Sequence, residues 1–142
     1  MDKKSRFKIL NKFPDYISVL SKQYELIWLN DALLKNGNIQ LEEAMGEICY
    51  KFFHNRDSPC KHCTIKLAIE QKSTIIEEQI IPDGVIRESR SIPVLSQNSG
   101  IEYLIQIERE ITERKLEELE LEKNKQLFDE IQQIARMGSW EI

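Results

Sequence analysis

The stretch Gly100–Lys115, "GIEYLIQIEREITERK", changes its period half-way, and that change decides the fold. Tyr103, Ile105 and Ile107 alternate with Leu104, Gln106 and Glu108, the two-residue period of a strand with one clearly apolar face. From Ile111 onward, in "ITERKLEELELEKNKQLFDEIQQIARM", the spacing is helical and the composition highly charged. Leu116, Leu119, Leu127, Ile131 and Ile134 form an apolar stripe, with Lys123 filling the step between Leu119 and Leu127. The steps run three, four, four, four, three, a heptad pattern with a four-residue slip. Such a helix would extend over about 28 residues, roughly 40 Å. A domain this small cannot cover it along its whole length. Its stripe is expected to meet a partner, most simply the same helix of a second chain.

Working outward, "STIIEEQIIP" and "GVIRESRSIPVL" read as two more strands before this one. The separators are turn chemistry: Asp83-Gly84 suits a tight hairpin and Asn98-Ser99-Gly100 a looser one. Three antiparallel strands in a meander result. Near the front, "YISVLSKQYELIWLN" reads as two short strands around a polar turn, with Ile17, Val19 and Leu20 in the first and Leu26 to Leu29 in the second. Between the two sets the periods are helical and short. "NDALLKNG" can be capped by Asn30 or Asp31 and ended by Gly37 in a left-handed conformation, a second short helix starts near Gln40 in "LEEAMG", and "CTIKLAIEQKS" spaces Ile65, Leu67, Ala68 and Ile69 as a helix would. At the start, Phe7, Leu10 and Phe13 mark a short amphipathic helix up to Pro14.

The chain has 142 residues, 31% charged and 41% apolar, with a formal net charge of -4. That is one soluble globular domain with a core of its own. It has no basic block, which argues against a nucleic-acid partner, and no apolar run near the roughly 18 residues that span a bilayer. The N-terminus has no apolar signal region, so the cytoplasm is the expected compartment, where thiols stay reduced.

All three cysteines and both histidines fall in "CYKFFHNRDSPCKHC", Cys49 to Cys63. Cys60 and Cys63 have the two-residue gap that lets two thiolates face one ion, and Cys49 with His54 would complete a tetrahedral zinc shell. His62 sits inside the knuckle and would point away. Two other readings stand beside the metal. Free cysteines are among the most buried side chains, so all three can be inert packing, with Pro59-Cys60 starting the next helix. Or Cys60 and Cys63 form a switchable pair, Cys60 being near a helix N-terminus. Trp28, Phe52, Phe53 and Tyr103 are expected in the core rather than against a cofactor. Arg87, Glu88 and Arg90 read as a solvated face, and Arg56 with Asp57 as a local pair.

"IERE-ITERK", residues 107–115, resembles the motif that closes many PAS domains before their signalling helix. "GEICYKFFHNRDSPCKHC", residues 46–63, resembles a recurring subset of the same family, and "ARMGSWEI" the opening of another repeat. The resemblance covers roughly residues 8–142. It implies an α+β PAS fold: a five-stranded antiparallel sheet with short helices on one face and a long C-terminal signalling helix. It also implies an organisation into an N-terminal helix (1–13), the PAS core (14–110), a coiled-coil linker helix (111–137) and the start of a truncated following domain (138–142). The family usually has Asp where this chain has Glu110. Asp-x-x-Glu is a capping box, and Glu is a poorer cap, so Thr112 is the alternative. Glu110, Thr112, Glu113 and Arg114 are then the signalling joint.

The resemblance further implies a sensory module of a larger protein, first a histidine kinase and next a diguanylate cyclase. Its partners would be a second copy, through both terminal helices, and neighbouring PAS and kinase domains. A ligand-free module that only dimerises its parent is the rival. Neither histidine heads a phosphoacceptor box, and no phosphate loop or nucleophile–base pair is present, so no catalysis is expected of the chain itself. Zinc leads the cofactor expectations. The missing fourth thiolate disfavours an iron–sulfur cluster. Flavin is disfavoured because the Asn and Gln of the flavin-binding members are absent around Cys49, and haem because His62 has no further support.

Overall fold

A computed structural model describes residues 5–60, 63–80 and 84–138 of the chain. Strands β1 (Tyr16–Leu20), β2 (Leu26–Leu29), β3 (Ile75–Ile80), β4 (Ile86–Leu95) and β5 (Ile101–Glu110) form one antiparallel sheet in the order β2-β1-β5-β4-β3. The front hairpin and the rear meander join along β1 and β5, where Ser18 stands opposite Gln106. Helices α1 (Asp31–Gly37), α2 (Leu41–Ala44), α3 (Cys49–His54) and α4 (Thr64–Gln71) fill the connection from β2 to β3. Helix α5 (Thr112–Gly138) leaves the end of β5. This is the expected five-stranded α+β architecture.

The strand period divides the apolar residues between two faces. On one face Leu20, Leu26, Leu29 and Leu104 pack with Ala44, Ile65 and Ala68 of the helices. On the other, Val19 and Trp28 pack with Phe7 of an N-terminal 3-10 helix, Ser5–Lys12. Phe7 meets Tyr103 edge-on at 5.4 Å. The expected amphipathic segment is therefore there, but wound as 3-10, and Phe13 falls off its buried side at 48% exposure. Residues 1–4 and 139–142 lie outside the described residues, and of the tail read as a following domain (138–142) only Gly138 is described, as the last residue of α5.

Several local signals resolve differently from the sequence reading. Asn30 caps α1, its Oδ1 accepting from the Leu33 N–H. Gly37, however, is the last helical residue, and Asn38 takes the left-handed position at φ 51°. Asparagine tolerates that conformation. A Cβ at Gly37 would come within 2.5 Å of Ile39 Cδ1, the movable end of that side chain. The helix expected to start at Pro59-Cys60 starts at Thr64, with Cys63 in the cap position. Of the β3–β4 hairpin signal, Asp83 lies outside the described residues, while Gly84 has the positive φ, 90°, that the turn needs. Among the described residues no helix is long and apolar enough to cross a membrane.

Candidate functional site

A cavity of about 460 Å³ lies between the helix-facing side of the sheet and α1, α3 and α4. That is the size range of small-molecule sites. Its sheet wall is polar where a core-facing wall would ordinarily be apolar. Cross-strand register places Ser18, Gln106 and Ser91 in one row and Tyr16, Glu108 and Ser89 in the next. Arg87 follows, with Gln79 of β3 beside it. Ser18 and Ser89 are buried, and Ser91 is fully so. Ser91 shares a 2.7 Å hydrogen bond with Thr64 of α4 and donates to Gln106 Oε1 at 3.3 Å. Gln106 Nε2 in turn donates to Glu108 at 3.4 Å. The Arg87 guanidinium pairs loosely with Glu108, 3.8 Å from Nη1 to Oε2. Its Nε is a buried donor with no acceptor among the described residues.

The reading of Arg87, Glu88 and Arg90 as one solvated face is thus corrected. Glu88 and Arg90 share the opposite side of β4, 3.0 Å apart, while Arg87 lines the cavity. The parity of Arg87, Ser89 and Ser91 was visible in the sequence. It carried no apolar marker to say which parity faced in. Arg56 donates to the Ser58 carbonyl rather than pairing with Asp57.

The helix wall holds the residues that the cysteine spacing singled out. Cys49 opens α3 and donates its backbone N–H to the Tyr24 carbonyl, 2.8 Å away. Tyr24 holds a positive φ of 68° and packs its ring edge-on against Tyr50, which fixes the approach of α3 to the sheet. His54 ends α3, and the Cys63 N–H bonds back to the Cys60 carbonyl at 3.2 Å, closing a turn. All four residues of the expected zinc set, Cys49, His54, Cys60 and Cys63, line the cavity. Yet among the described residues no group of three or more His, Cys, Asp or Glu side chains is arranged to hold a metal ion. His62 lies outside the described residues.

The three thiols are free. Burial, and then repulsion from Cys63 and Cys60, pushes the Cys49 thiol up to about 12. Burial and Cys63 raise Cys60 as well, partly offset by Arg56. A protonated thiol is a weak nucleophile, and at neutral pH Cys49 presents a soft, neutral side chain to the cavity. Phe53, Leu33, Ile39 and Ile65 extend that neutral lining. Trp28 is in the core as expected and Tyr103 packs beside it. Phe52 and Phe53 pack against the main core as expected, and Phe53 also reaches the cavity.

The junction at the end of β5 differs from a capping box. Thr112 turns its hydroxyl sideways to β4, where Oγ1 accepts the Ile86 N–H at 2.8 Å. Ile111 is buried and donates to the Ile86 carbonyl at 2.9 Å. Arg114 reaches Glu88 at 3.8 Å and Lys115 reaches Glu78 at 3.2 Å. Ile86 is the neighbour of Arg87, so one stretch of β4 touches both cavity and helix.

Comparison with known proteins bears on this arrangement. A family model described as "PAS fold" matches residues 10–116. A search of curated proteins finds no match. Among solved structures, a sensory box sensor histidine kinase from Vibrio cholerae superposes with a TM-score of 0.61 at 16% identity, over 77% of this chain and 94% of that one. The PAS domain of BvgS from Bordetella pertussis superposes at 0.58 and 17% identity, over 88% and 99%. A PAS domain from Colwellia psychrerythraea gives 0.53 and 21%, over 77% and 96%. At such identities the likeness concerns the fold alone.

Proposed function

The chain belongs to the PAS fold family, and from that premise we propose that it is the sensory input module of a signal-transduction protein, most simply a sensor histidine kinase. It relays the contents of its cavity through a C-terminal helix paired with that of a second copy. One observation carries the reading. The segment Ile86-Arg87 lines the cavity with its second residue and holds the base of α5 with its first. A ligand that repositions Arg87 moves the anchor of the helix.

The helix is suited to receive such a shift. Beyond its first turn it lies free of the sheet, and Leu116, Leu127, Ile131 and Ile134 are each more than half exposed. An apolar stripe on a helix of 27 residues is what a second copy would cover. Lys123 and the heptad slip keep that pairing weak, and a switch must lie within a few kcal/mol of balance to be biased. Catalysis is assigned to other domains of the parent. The polar sheet wall, with Ser18, Ser89 and Ser91 buried in it, weighs against a ligand-free assembly module, for which a filled apolar core would serve better.

Light scattering across a concentration series tests the reading. Lys123→Leu should shift the association midpoint to lower concentration by tenfold or more. Unchanged self-association in that variant would count against a paired helix.

A further inference from the structure

The geometry points to a ligand class for the cavity: a small, net-neutral organic molecule that presents a carbonyl-type oxygen next to an N–H donor on an apolar body. This rests on the sensory reading of the same cavity and goes beyond it.

The charges in the wall set the class. Arg87 and Glu108 sit side by side, one cation and one anion, with their closest charged atoms 3.8 Å apart. A carboxylate ligand drawn to Arg87 would meet Glu108, and an ammonium drawn to Glu108 would meet Arg87. Either pays repulsion that a neutral ligand avoids. Hydrogen-bonding capacity then sets the edge. Arg87 Nε is a buried donor still needing an acceptor, and buried donors are ordinarily satisfied. A ligand oxygen supplies one. Glu108, when ionised, has only acceptor sites, and the Gln106 amide engages one of its oxygens with a long 3.4 Å contact. A ligand N–H next to the carbonyl can donate there. The facing wall selects the rest: Phe53, Ile39 and Ile65 receive an apolar body and offer it no charge.

The test uses the full chain and three bicyclic probes of nearly equal size, followed by ligand-observed NMR titration. 2-Quinolone has the carbonyl and N–H edge, quinoline lacks it, and quinoline-2-carboxylate carries a charge in its place. 2-Quinolone should bind about ten- to hundredfold more tightly than quinoline, the range for hydrogen bonds to charged groups. Arg87→Lys keeps the charge but removes Nε–H, and Glu108→Gln removes the anionic acceptor. Each should bring 2-quinolone down towards quinoline, with circular dichroism confirming the fold. Equal binding of 2-quinolone and quinoline, a preference for the carboxylate, or no binding of 2-quinolone at millimolar concentration overturns the assignment, and these wild-type comparisons decide even if a variant misfolds. Selective binding that leaves self-association unchanged would overturn the sensory reading and keep the ligand class.

Discussion

Thr112 and Ile86 exchange the bond that fixes where the long helix begins: the Thr112 hydroxyl accepts the Ile86 N–H at 2.8 Å. A threonine at a helix cap ordinarily serves that helix's own free N–H groups, but Thr112 stands one residue inside, after Ile111. Here it serves a neighbouring strand, and the helix gains an anchor in the sheet instead of a cap. Thr112→Val keeps the shape and removes the acceptor. It should destabilise the fold by about 1 kcal/mol. Amide exchange at Ile86 should accelerate with it, and unchanged protection there would show that the hydroxyl holds nothing.

Asn30 ties three segments together at a fully buried position. Its Oδ1 accepts from the Ile17 and Leu33 N–H groups, and its Nδ2 donates to the Leu10 and Asp15 carbonyls. Asn30→Ala strands all four partners, and the expected loss is about 2–4 kcal/mol in urea unfolding. Asn30→Asp has the same shape but no donors and a buried charge, so it too should be strongly destabilised. A near-neutral result for Asn30→Asp would mean that the Leu10 and Asp15 carbonyls are satisfied otherwise.

Ser91 and Thr64 link α4 to the middle of the sheet through a buried 2.7 Å bond. Ser91→Ala leaves the Thr64 hydroxyl buried and unpaired, a loss of about 1–3 kcal/mol. Thr64→Val on that background removes the stranded group. The double variant should therefore be no less stable than Ser91→Ala alone. Additive losses in the double-mutant cycle would contradict a direct bond.

Cys49 makes stability fall in alkali. Its thiol is raised from 9.0 to about 12, burial being the main cause, and Tyr24 is raised in the same sense from 10.0 to about 12. Above pH 9.0 the unfolded chain releases protons that the folded chain retains. Stability from these groups is therefore complete below that point and declines as pH climbs towards 12. Urea midpoints at about pH 8 and about pH 10.5 should separate clearly in the wild type and less so in Cys49→Ala. Equal separation in both proteins would assign the decline to other groups.

The legible part of the chain is the part where a local period or a turn residue speaks for itself. The alternation through Tyr103–Glu108, the stripe from Leu116 to Ile134 and the Asn30 cap are short-range signals, and each element stands where its signal lies. Gly37 does not supply the left-handed end of α1 because Asn38 tolerates that conformation and takes the cap itself, its N–H bonding back to the Lys35 carbonyl. The four residues of the cysteine stretch were singled out by type and spacing, and the fold does bring them to one cavity. Their sequence neighbours could not say that the sheet would bring Arg87 and Glu108 to the same cavity.

The chain's order of residues by itself determined the number of strands, the run of small helices and the charged lever behind them, because backbone period and capping act over a few residues. Tertiary structure decided that Arg87 faces inward beside Glu108 and that Thr112 bonds to β4, since both depend on register between strands far apart in the chain. Register is set by the whole sheet at once: a slip of one residue would have turned Arg87 outward and Glu88 in.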